Sequence, residues 1–250
     1  MLDARPPLGG SLHGSLRAVA FDLDGTLADS APGICATFST VLCEAGHPLP
    51  PMAEIAALIG LPLGDIMLRY APGASVDDLE ALVARYRSIY SGTVVPATLL
   101  FPRAWSLLRA CRAAGLELAI VTGKTTDVAD AVLRRCRIRG LFRSVVGNER
   151  AGRPKPHPDL MHLALEELGV PASQTLLVGD GTHDVEMGRG AGVRTCGVAW
   201  GVHEAERLSA AGAVHVVHSM TELRELILGP TSRVPSAHGR APSRSGRGPG

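Results

Sequence analysis

The sequence predicts an α/β fold, a doubly wound parallel sheet that carries an inserted all-helical domain. From about residue 102 onward, short apolar runs alternate with helical stretches, and the runs are residues 116–121, 143–147, 175–178 and 194–198. Such alternation is typical of parallel strands joined by helices. Between about residues 30 and 96, apolar residues recur at helical spacing and no convincing strand is present.

The first strand is predicted over residues 18–21, Ala-Val-Ala-Phe, and two acids follow it directly, Asp22 and Asp24. A continuous apolar run fits a strand covered on both faces, and reactive groups of open parallel sheets lie at the carboxyl ends of strands. Asp24 must lie on a turn for both acids to face one ligand, and Gly25 favours that turn. The pair indicates a cation site, although Asp-Gly is also an ordinary turn dipeptide.

The helical segment contains two apolar stripes. The first comprises Ile34, Phe38, Val41, Leu42 and Ala45, and the second comprises Val76, Leu79, Leu82, Val83, Tyr86, Ile89 and Tyr90. Pro50-Pro51 and residues 71–73, Ala-Pro-Gly, separate them. Because this segment is inserted after the first strand, we expect it to stand over the carboxyl ends of the strands.

Composition excludes several classes of protein. The chain has 250 residues, 46% of them apolar, and a formal net charge of +1, so no strong electrostatic field for nucleic acid is expected. Five cysteines without a Cys-x-x-Cys pair favour a reducing compartment. The first fifteen residues contain no apolar leader, and no run is long enough to cross a membrane, so a cytoplasmic protein is predicted. Residues 1–15 and 230–250 are predicted to be disordered tails.

Three further motifs supply partners for the first acids. Thr122 ends the run 116–121, Asp180 follows the run 175–178, and Lys155 lies between them in sequence, bracketed by two prolines. Only two of the 25 basic residues are lysines, and both fall inside motifs, which suggests positions that need a compact ammonium group. Each motif also has a plainer interpretation, as a strand cap for Thr122 or an ordinary loop residue for Lys155.

The ordered set of motifs resembles the haloacid dehalogenase superfamily, in its phosphoglycolate phosphatase-like subgroup, over about residues 17–226. The strings are Asp22-Leu-Asp-Gly-Thr-Leu-Ala-Asp-Ser, Val121-Thr-Gly-Lys, Arg153-Pro-Lys-Pro-His-Pro-Asp and Val178-Gly-Asp-Gly-Thr-His-Asp. The resemblance implies an α/β core of residues 16–29 and 97–229. It also implies a helical cap of residues 30–96, joined by hinges near 27–31 and 93–98.

The resemblance further implies a mechanism of phosphate monoester hydrolysis on a small phosphorylated metabolite. Asp22 is expected to be the nucleophile that forms an aspartyl-phosphate, and Asp24 the general acid and base. Thr122 and the Gly123 amide would donate to phosphoryl oxygens, and Lys155 would supply a fixed ammonium. A Mg²⁺ ion, which prefers oxygen ligands, is expected on Asp22, Asp180, Asp184 and a main-chain carbonyl near Asp24.

Three neighbouring residues allow two interpretations each. Lys124 either binds substrate or begins the following helix. Asp184 either serves the metal site or only favours the start of a helix near Thr182. Arg69 either clamps a substrate carboxylate or is an exposed helix residue. His183 is predicted not to bind metal, because an oxygen-ligated Mg²⁺ has little use for imidazole.

Hydrolysis is preferred over related chemistries of the superfamily. Asp24 argues against a dehalogenase, whose halide leaving group needs no proton, and the absence of a cap lysine argues against a phosphonate hydrolase. A sugar phosphomutase and a catalytically idle binding protein remain alternatives. The substrate is open, because Gly123 stands where phosphoglycolate phosphatases usually have Asn. The Thr-Gly-Lys form also resembles phosphatases of aminohydroxybenzoate and other specialised metabolite pathways. The oligomeric state is not predicted.

Overall fold

A computed structural model describes Leu12 and residues 14–230, which contain eight strands. They are β1 (Ala18–Phe21), β2 (Ala28–Asp29), β3 (Leu99–Leu100), β4 (Glu117–Val121), β5 (Ser144–Val146), β6 (Thr175–Gly179), β7 (Arg194–Val198) and β8 (His215–Val217). Six strands form one parallel sheet in the order β5-β4-β1-β6-β7-β8, and β2 pairs with β3 in a separate antiparallel ribbon. The predicted α/β fold with a parallel sheet is confirmed.

Eleven α-helices lie within the same described residues. They are α1 (Ala31–Glu44), α2 (Met52–Ala56), α3 (Leu63–Tyr70), α4 (Val76–Ile89), α5 (Val95–Ala97), α6 (Ala104–Ala113), α7 (Thr126–Arg135), α8 (Asp159–Leu168), α9 (Thr182–Gly190), α10 (Ala205–Ala210) and α11 (Met220–Leu228). A π-helical turn, Tyr90–Val94, joins α4 to α5. None of these helices is long and apolar enough to cross a membrane.

The central strand β1 explains why its sequence is apolar at every position. All four of its residues are fully buried. Val19 and Phe21 face one hydrophobic cluster, whereas Ala18 and Ala20 face another on the opposite side of the sheet. Alternate residues of a strand point to opposite faces, so a sheet covered on both faces needs apolar residues throughout.

The register of the sheet brings distant motifs together. Phe21 of β1 lies beside Ile120 of β4 and Val178 of β6. Because all three strands are parallel and adjacent, the residues that follow them emerge at the same edge. Asp22, Thr122 and Asp180 therefore meet there, as the sequence predicted.

The helical insert, residues 31–97, lies between β2 and β3 and contains α1 to α5. The first predicted stripe is largely buried on α1, except for Ala45, which is exposed just beyond its end. The second stripe buries Leu82 and Tyr86, whereas Val76, at the start of α4, is 74% exposed. Residues 93–98, the second predicted hinge, are mostly helical. Hinge motion itself stays a prediction.

Two sequence expectations need correction. Residues 12, 14 and 15, placed in a disordered tail, are ordered against the core, since Leu12 is buried and its N–H donates to the Leu226 carbonyl at 2.7 Å. The rest of both predicted tails, residues 1–11, 13 and 231–250, lies outside the described residues. Strand β8 was not predicted, because it has only three residues and two of them are half-buried.

Truncating the buried Leu118 of β4 tests the importance of this sheet for stability. Leu118 is fully buried, so Leu118→Ala removes packed methyl groups and leaves a cavity. We expect the free energy of unfolding, measured by urea denaturation, to fall by about 2–5 kcal/mol. The matched Leu49→Ala, at a position that is 54% exposed, should change it by less than about 0.5 kcal/mol. Equal losses in the two variants would contradict this account of the core.

Candidate active site

Three carboxylates form a buried cluster at the carboxyl edge of the sheet. Asp22 follows β1, Asp180 follows β6, and Asp184 lies in the first turn of α9. One carboxylate oxygen from each lies within 4.8 Å of the other two, and each residue is at most 2% exposed. We call these residues the acidic cluster. Like charges this close and this dry require compensation by cations.

Lys155 supplies one compensating charge. Its Nζ lies 2.7 Å from Asp22 Oδ1 and 2.6 Å from Asp184 Oδ1, and the residue is 2% exposed. Burial alone would lower the pKa of this ammonium, but the two carboxylates raise it above its usual value. The proline-bracketed lysine therefore stays charged inside the acidic cluster, as expected from its sequence context.

Asp180 is held from both sides by hydrogen bonds. Thr26 donates its hydroxyl to Oδ1 at 2.8 Å, and the Val202 N–H donates to Oδ2 at 2.7 Å. A Cβ placed on Gly25 would lie 2.1 Å from Asp180 Oδ2, and one on Gly201 would lie 2.3 Å away. Gly25 also adopts a positive φ of 73°, the conformation that the sequence assigned to this turn. Because glycine has no side chain, the main chain at Gly25 and Gly201 can lie close to the Asp180 carboxylate.

The charges of this site do not balance. Three carboxylates and one ammonium leave a formal excess of two negative charges. Burial raises the pKa of Asp22 from 3.8 to about 7, against the opposing effect of Lys155. Burial and the neighbouring Asp22 carboxylate also raise the pKa of Asp180. Burial would also raise the pKa of Asp184, but Lys155, His183 and the Gly181 N–H together lower it below its usual value. A divalent cation on these oxygens would neutralise the excess, and an all-oxygen donor set fits a hard ion such as Mg²⁺.

Asp24 lies outside the acidic cluster and has partners of its own. Lys124 Nζ lies 2.7 Å from its Oδ2, and the Ser30 hydroxyl donates a hydrogen bond to its Oδ1. The same ammonium lies 4.5 Å from the centre of the Tyr90 ring, in the helical insert. Burial would lower the pKa of Lys124, but Asp24 raises it above its usual value. Lys124 therefore links the acid of the first motif to the helical insert.

The second motif lies under a loop of the helical insert. Thr122 is 1% exposed, and its Oγ1 accepts a hydrogen bond from the Lys124 N–H at 3.3 Å. A Cβ on Gly123 would lie 2.2 Å from the Gly60 carbonyl oxygen. A Cβ on Gly60 would in turn lie 2.2 Å from His183 Nε2. The insert is thus closed tightly over the strand ends, with glycine at both facing positions.

His183 is not part of the acidic cluster. Its Nε2 lies 3.6 Å from Asp184 Oδ2, and burial lowers its pKa to about 4 despite the nearby carboxylate. The imidazole is therefore neutral near neutral pH and does not offset the negative charge. Its position against Gly60 indicates a packing role between the core and the helical insert.

A cavity of about 160 Å³ lies between the insert and the core, with Asp24, Gly123 and Lys124 in its wall. The insert contributes mainly apolar side chains, including Ile34, Phe38, Ile59, Leu61, Ile66 and Tyr86. Arg69 is exposed and does not line this cavity, and its contact with a substrate stays a prediction. Arg87 of α4 lines the cavity instead.

Several contributors to this site were missed in the sequence. Thr26 and Ser30 lie inside the first motif, yet nothing in the pattern distinguishes their hydroxyls from ordinary turn residues. Tyr90 was assigned to a packing stripe. The Val202 N–H is a main-chain donor and has no side-chain signal. Only the fold reveals which carboxylate each group contacts.

Comparison with known proteins identifies related sequences over most of the chain. Residues 19–198 match the family model of haloacid dehalogenase-like hydrolases. The probable phosphatase IndB of Dickeya dadantii is 36% identical over 211 residues, which cover 82% of this chain and 90% of that protein. A phosphoglycolate phosphatase of Yersinia pseudotuberculosis is 31% identical over 201 residues, covering 79% and 87%.

A relative with a different activity and a solved structure complete the comparison. The tyrosine-protein kinase PtkA of Mycobacterium tuberculosis is 34% identical over 215 residues, which cover 85% of this chain and 73% of that protein. The haloacid dehalogenase-like protein SP0104 of Streptococcus pneumoniae superposes with a TM-score of 0.73 at 30% identity, covering 84% of this chain and 97% of that one. The predicted fold and family are both confirmed.

The unbalanced acidic cluster predicts an unusual pH dependence for the metal-free protein. A carboxyl whose pKa is higher in the folded chain binds its proton more tightly there, so its stabilising contribution is present at low pH and lost as pH rises. For Asp22 this stabilisation is lost as pH rises from 3.8, the ordinary pKa of the carboxyl, to about 7, its pKa in the folded chain. In EDTA, the free energy of unfolding should fall by about 2–3 kcal/mol between about pH 5 and pH 7.5.

Asp22→Asn is the control for this titration, because it keeps the side-chain shape but removes the ionisable group. Its urea midpoint in EDTA should depend less on pH than that of the unchanged protein. Saturating Mg²⁺ should abolish the loss in the unchanged protein, since bound cation keeps the carboxylates ionised. A wild-type stability that rises with pH across this window would contradict the charge count.

Proposed function

Because the chain belongs to the haloacid dehalogenase-like hydrolase family, we propose that it is a divalent-metal-dependent phosphatase of a small phosphorylated metabolite. The observation that carries the proposal is the acidic cluster with Lys155, where two negative charges are left over at the edge of the sheet. The names of the Dickeya dadantii and Yersinia pseudotuberculosis relatives support phosphate ester hydrolysis rather than another hydrolase activity.

The proposed metal ligands are Asp22, Asp180 and Asp184, directly or through water, together with the main-chain carbonyl of Asp24. The short distances among the three carboxylates and the preference of Mg²⁺ for oxygen ligands support this assignment. When bound, the ion would supply charge neutralisation for the carboxylates and for the phosphoryl group. Thr26 and the Val202 amide keep Asp180 oriented for this role.

Asp22 is the proposed nucleophile, whose carboxylate oxygen attacks phosphorus to give an aspartyl-phosphate while the substrate oxygen leaves. Lys155 holds Asp22 Oδ1 at 2.7 Å, which fixes the rotamer and leaves Oδ2 as the attacking oxygen. Asp24 is the proposed general acid, giving its proton to the leaving oxygen, and then the general base that takes a proton from the attacking water. Its position in the cavity wall supports this role.

The phosphoryl oxygens would be bound by Thr122, the Gly123 N–H and Lys155, which are fixed before substrate arrives. Preorganised donors of this kind stabilise charge that develops in the transition state, and removing one typically costs about 10²–10³ in kcat. Lys124 would exchange part of its contact with Asp24 for a phosphoryl oxygen. We also propose residues 16–29 and 97–229 as the catalytic core and residues 30–96 as its cap. The expected cytoplasmic location stays a prediction.

Replacing the proposed nucleophile tests this function. Asp22→Asn removes the attacking carboxylate, so phosphate release from p-nitrophenyl phosphate in Mg²⁺ should fall by at least about 10³-fold. The matched Asp77→Asn, on the exposed start of α4, should keep full activity. EDTA should abolish turnover by the unchanged protein, and Mg²⁺ should restore it. Undiminished turnover by Asp22→Asn, or in EDTA, would refute the proposal.

Trapping the intermediate tests the covalent step separately. Acid quenching during turnover should leave one phosphoryl group on the peptide that contains Asp22. Hydroxylamine should release this group, because hydroxylamine cleaves acyl phosphates. Mass spectrometry of the digested protein measures both. Phosphate on any other residue, or rapid turnover of substrate that never labels this peptide, would contradict the assigned role of Asp22.

A further inference from the structure

We infer that the leaving group of the substrate is an uncharged, apolar moiety about the size of one six-membered ring, bound in the cavity between the helical insert and the core. The inference rests on the proposed phosphatase function and names the substrate class that the site selects. The cavity wall contains Asp24, the proposed acid, whereas the acidic cluster does not line it. The space beside Asp24 is therefore where the leaving oxygen and its attached group lie.

The size of the cavity supports one ring. Its volume is about 160 Å³. An apolar protein cavity of about 150 Å³ accommodates benzene, so a substituent of this size fills the space and a two-carbon acid leaves most of it empty. A ring that covers the apolar part of the wall gains both transfer free energy and packing contacts.

The larger part of the wall is apolar, although Ser91, Thr125 and Asn148 also line the cavity. Phe38 of α1, Ile66 of α3 and Tyr86 of α4 surround the space from the insert, and Val128 of α7 closes it from the core. Phe38, Ile66 and Tyr86 are at most 7% exposed, so these walls are dry. The Phe38 and Tyr86 ring centroids lie 4.7 Å apart, which provides an aromatic corner for a planar guest.

The charges around the cavity do not favour a carboxylate. Among the described residues that line it, the charged ones are Asp24, Lys124 and Arg87. Lys124 is engaged by Asp24 at 2.7 Å and, in the proposed mechanism, by the phosphoryl group, whereas Arg87 is exposed to solvent. A second anionic group on the substrate would therefore lose hydration without gaining a buried counter-ion. This argues against a short phosphorylated acid such as phosphoglycolate.

Three phosphate esters of unactivated alcohols test the inference with the Mg²⁺-loaded enzyme: benzyl phosphate, methyl phosphate and 2-phosphoglycolate. Benzyl alcohol and methanol are leaving groups of similar acidity, so intrinsic reactivity does not set their ratio. We expect kcat/KM for benzyl phosphate to exceed that for methyl phosphate by about 10- to 100-fold, the effect of burying a ring. The kcat/KM for benzyl phosphate should also exceed that for 2-phosphoglycolate by at least about tenfold.

A filled cavity provides the matched variant. Val128→Phe should lower kcat/KM for benzyl phosphate about tenfold and change that for methyl phosphate less than about twofold, because only the ring needs the space. Val76→Phe makes the same substitution at a position that is 74% exposed and outside the cavity, and should change neither. Equal losses for both esters in Val128→Phe would indicate a structural defect and would remove this support.

Binding separates failure of the inference from failure of the proposed function. Calorimetry in Mg²⁺ should show tighter binding of benzylphosphonate than of phosphonoacetate, neither of which can be hydrolysed. That result without turnover of any ester would refute the phosphatase function and leave the apolar pocket standing. Turnover with phosphoglycolate preferred, lost in Arg87→Ala, would support the phosphatase and overturn the pocket. Neither turnover nor binding would overturn both.

Discussion

Three buried carboxylates with one ammonium are the constraint on which the rest of this structure depends. At this burial, uncompensated charge is costly, so the fold must either protonate the cluster or provide a cation. Lys155 provides one positive charge and leaves two negative charges unpaired. A protein that only needed stability would have no reason to place Asp180 beside Asp22. The two unpaired negative charges destabilise the fold unless a ligand neutralises them, and such an arrangement indicates a functional site.

The parallel sheet converts sequence order into this geometry. β4, β1 and β6 are adjacent, so residues more than one hundred positions apart emerge at one edge. Glycines then let backbone approach where side chains would collide, as at Gly25 and Gly201 beside Asp180. The strands place the charged residues at one edge of the sheet, and the turns after the strands set the distances between them. Neither element alone would hold two carboxylates and a lysine at hydrogen-bond distance.

The strands and the motif residues could be predicted from the sequence, because they depend on local pattern. The partners of individual side chains could not, because they depend on tertiary contacts. The apolar runs identified five of the six strands of the main sheet, and the motifs identified all members of the acidic cluster. Arg87 was not singled out, because which arginine of the insert faces the cavity depends on how α3 and α4 are rotated against the core, and amphipathicity fixes that rotation only to within a face. The partners of Asp24 were equally hidden, since Lys124 lies one hundred residues away and also permitted a simpler interpretation.

The close approach of Gly60 to Gly123 ties the position of the helical insert to the proposed catalytic groups. Any side chain at residue 123 would meet the Gly60 carbonyl, so this closed position of the insert requires glycine there. The same closure places Tyr90 over Lys124 and thereby holds the ammonium against Asp24. Movement of the insert away from the core would therefore disturb the Tyr90–Lys124 contact and the environment of Asp24, the proposed general acid. The position of the insert and the environment of Asp24 are thus coupled through Lys124, and Gly123 permits the close approach of the insert on which this coupling depends.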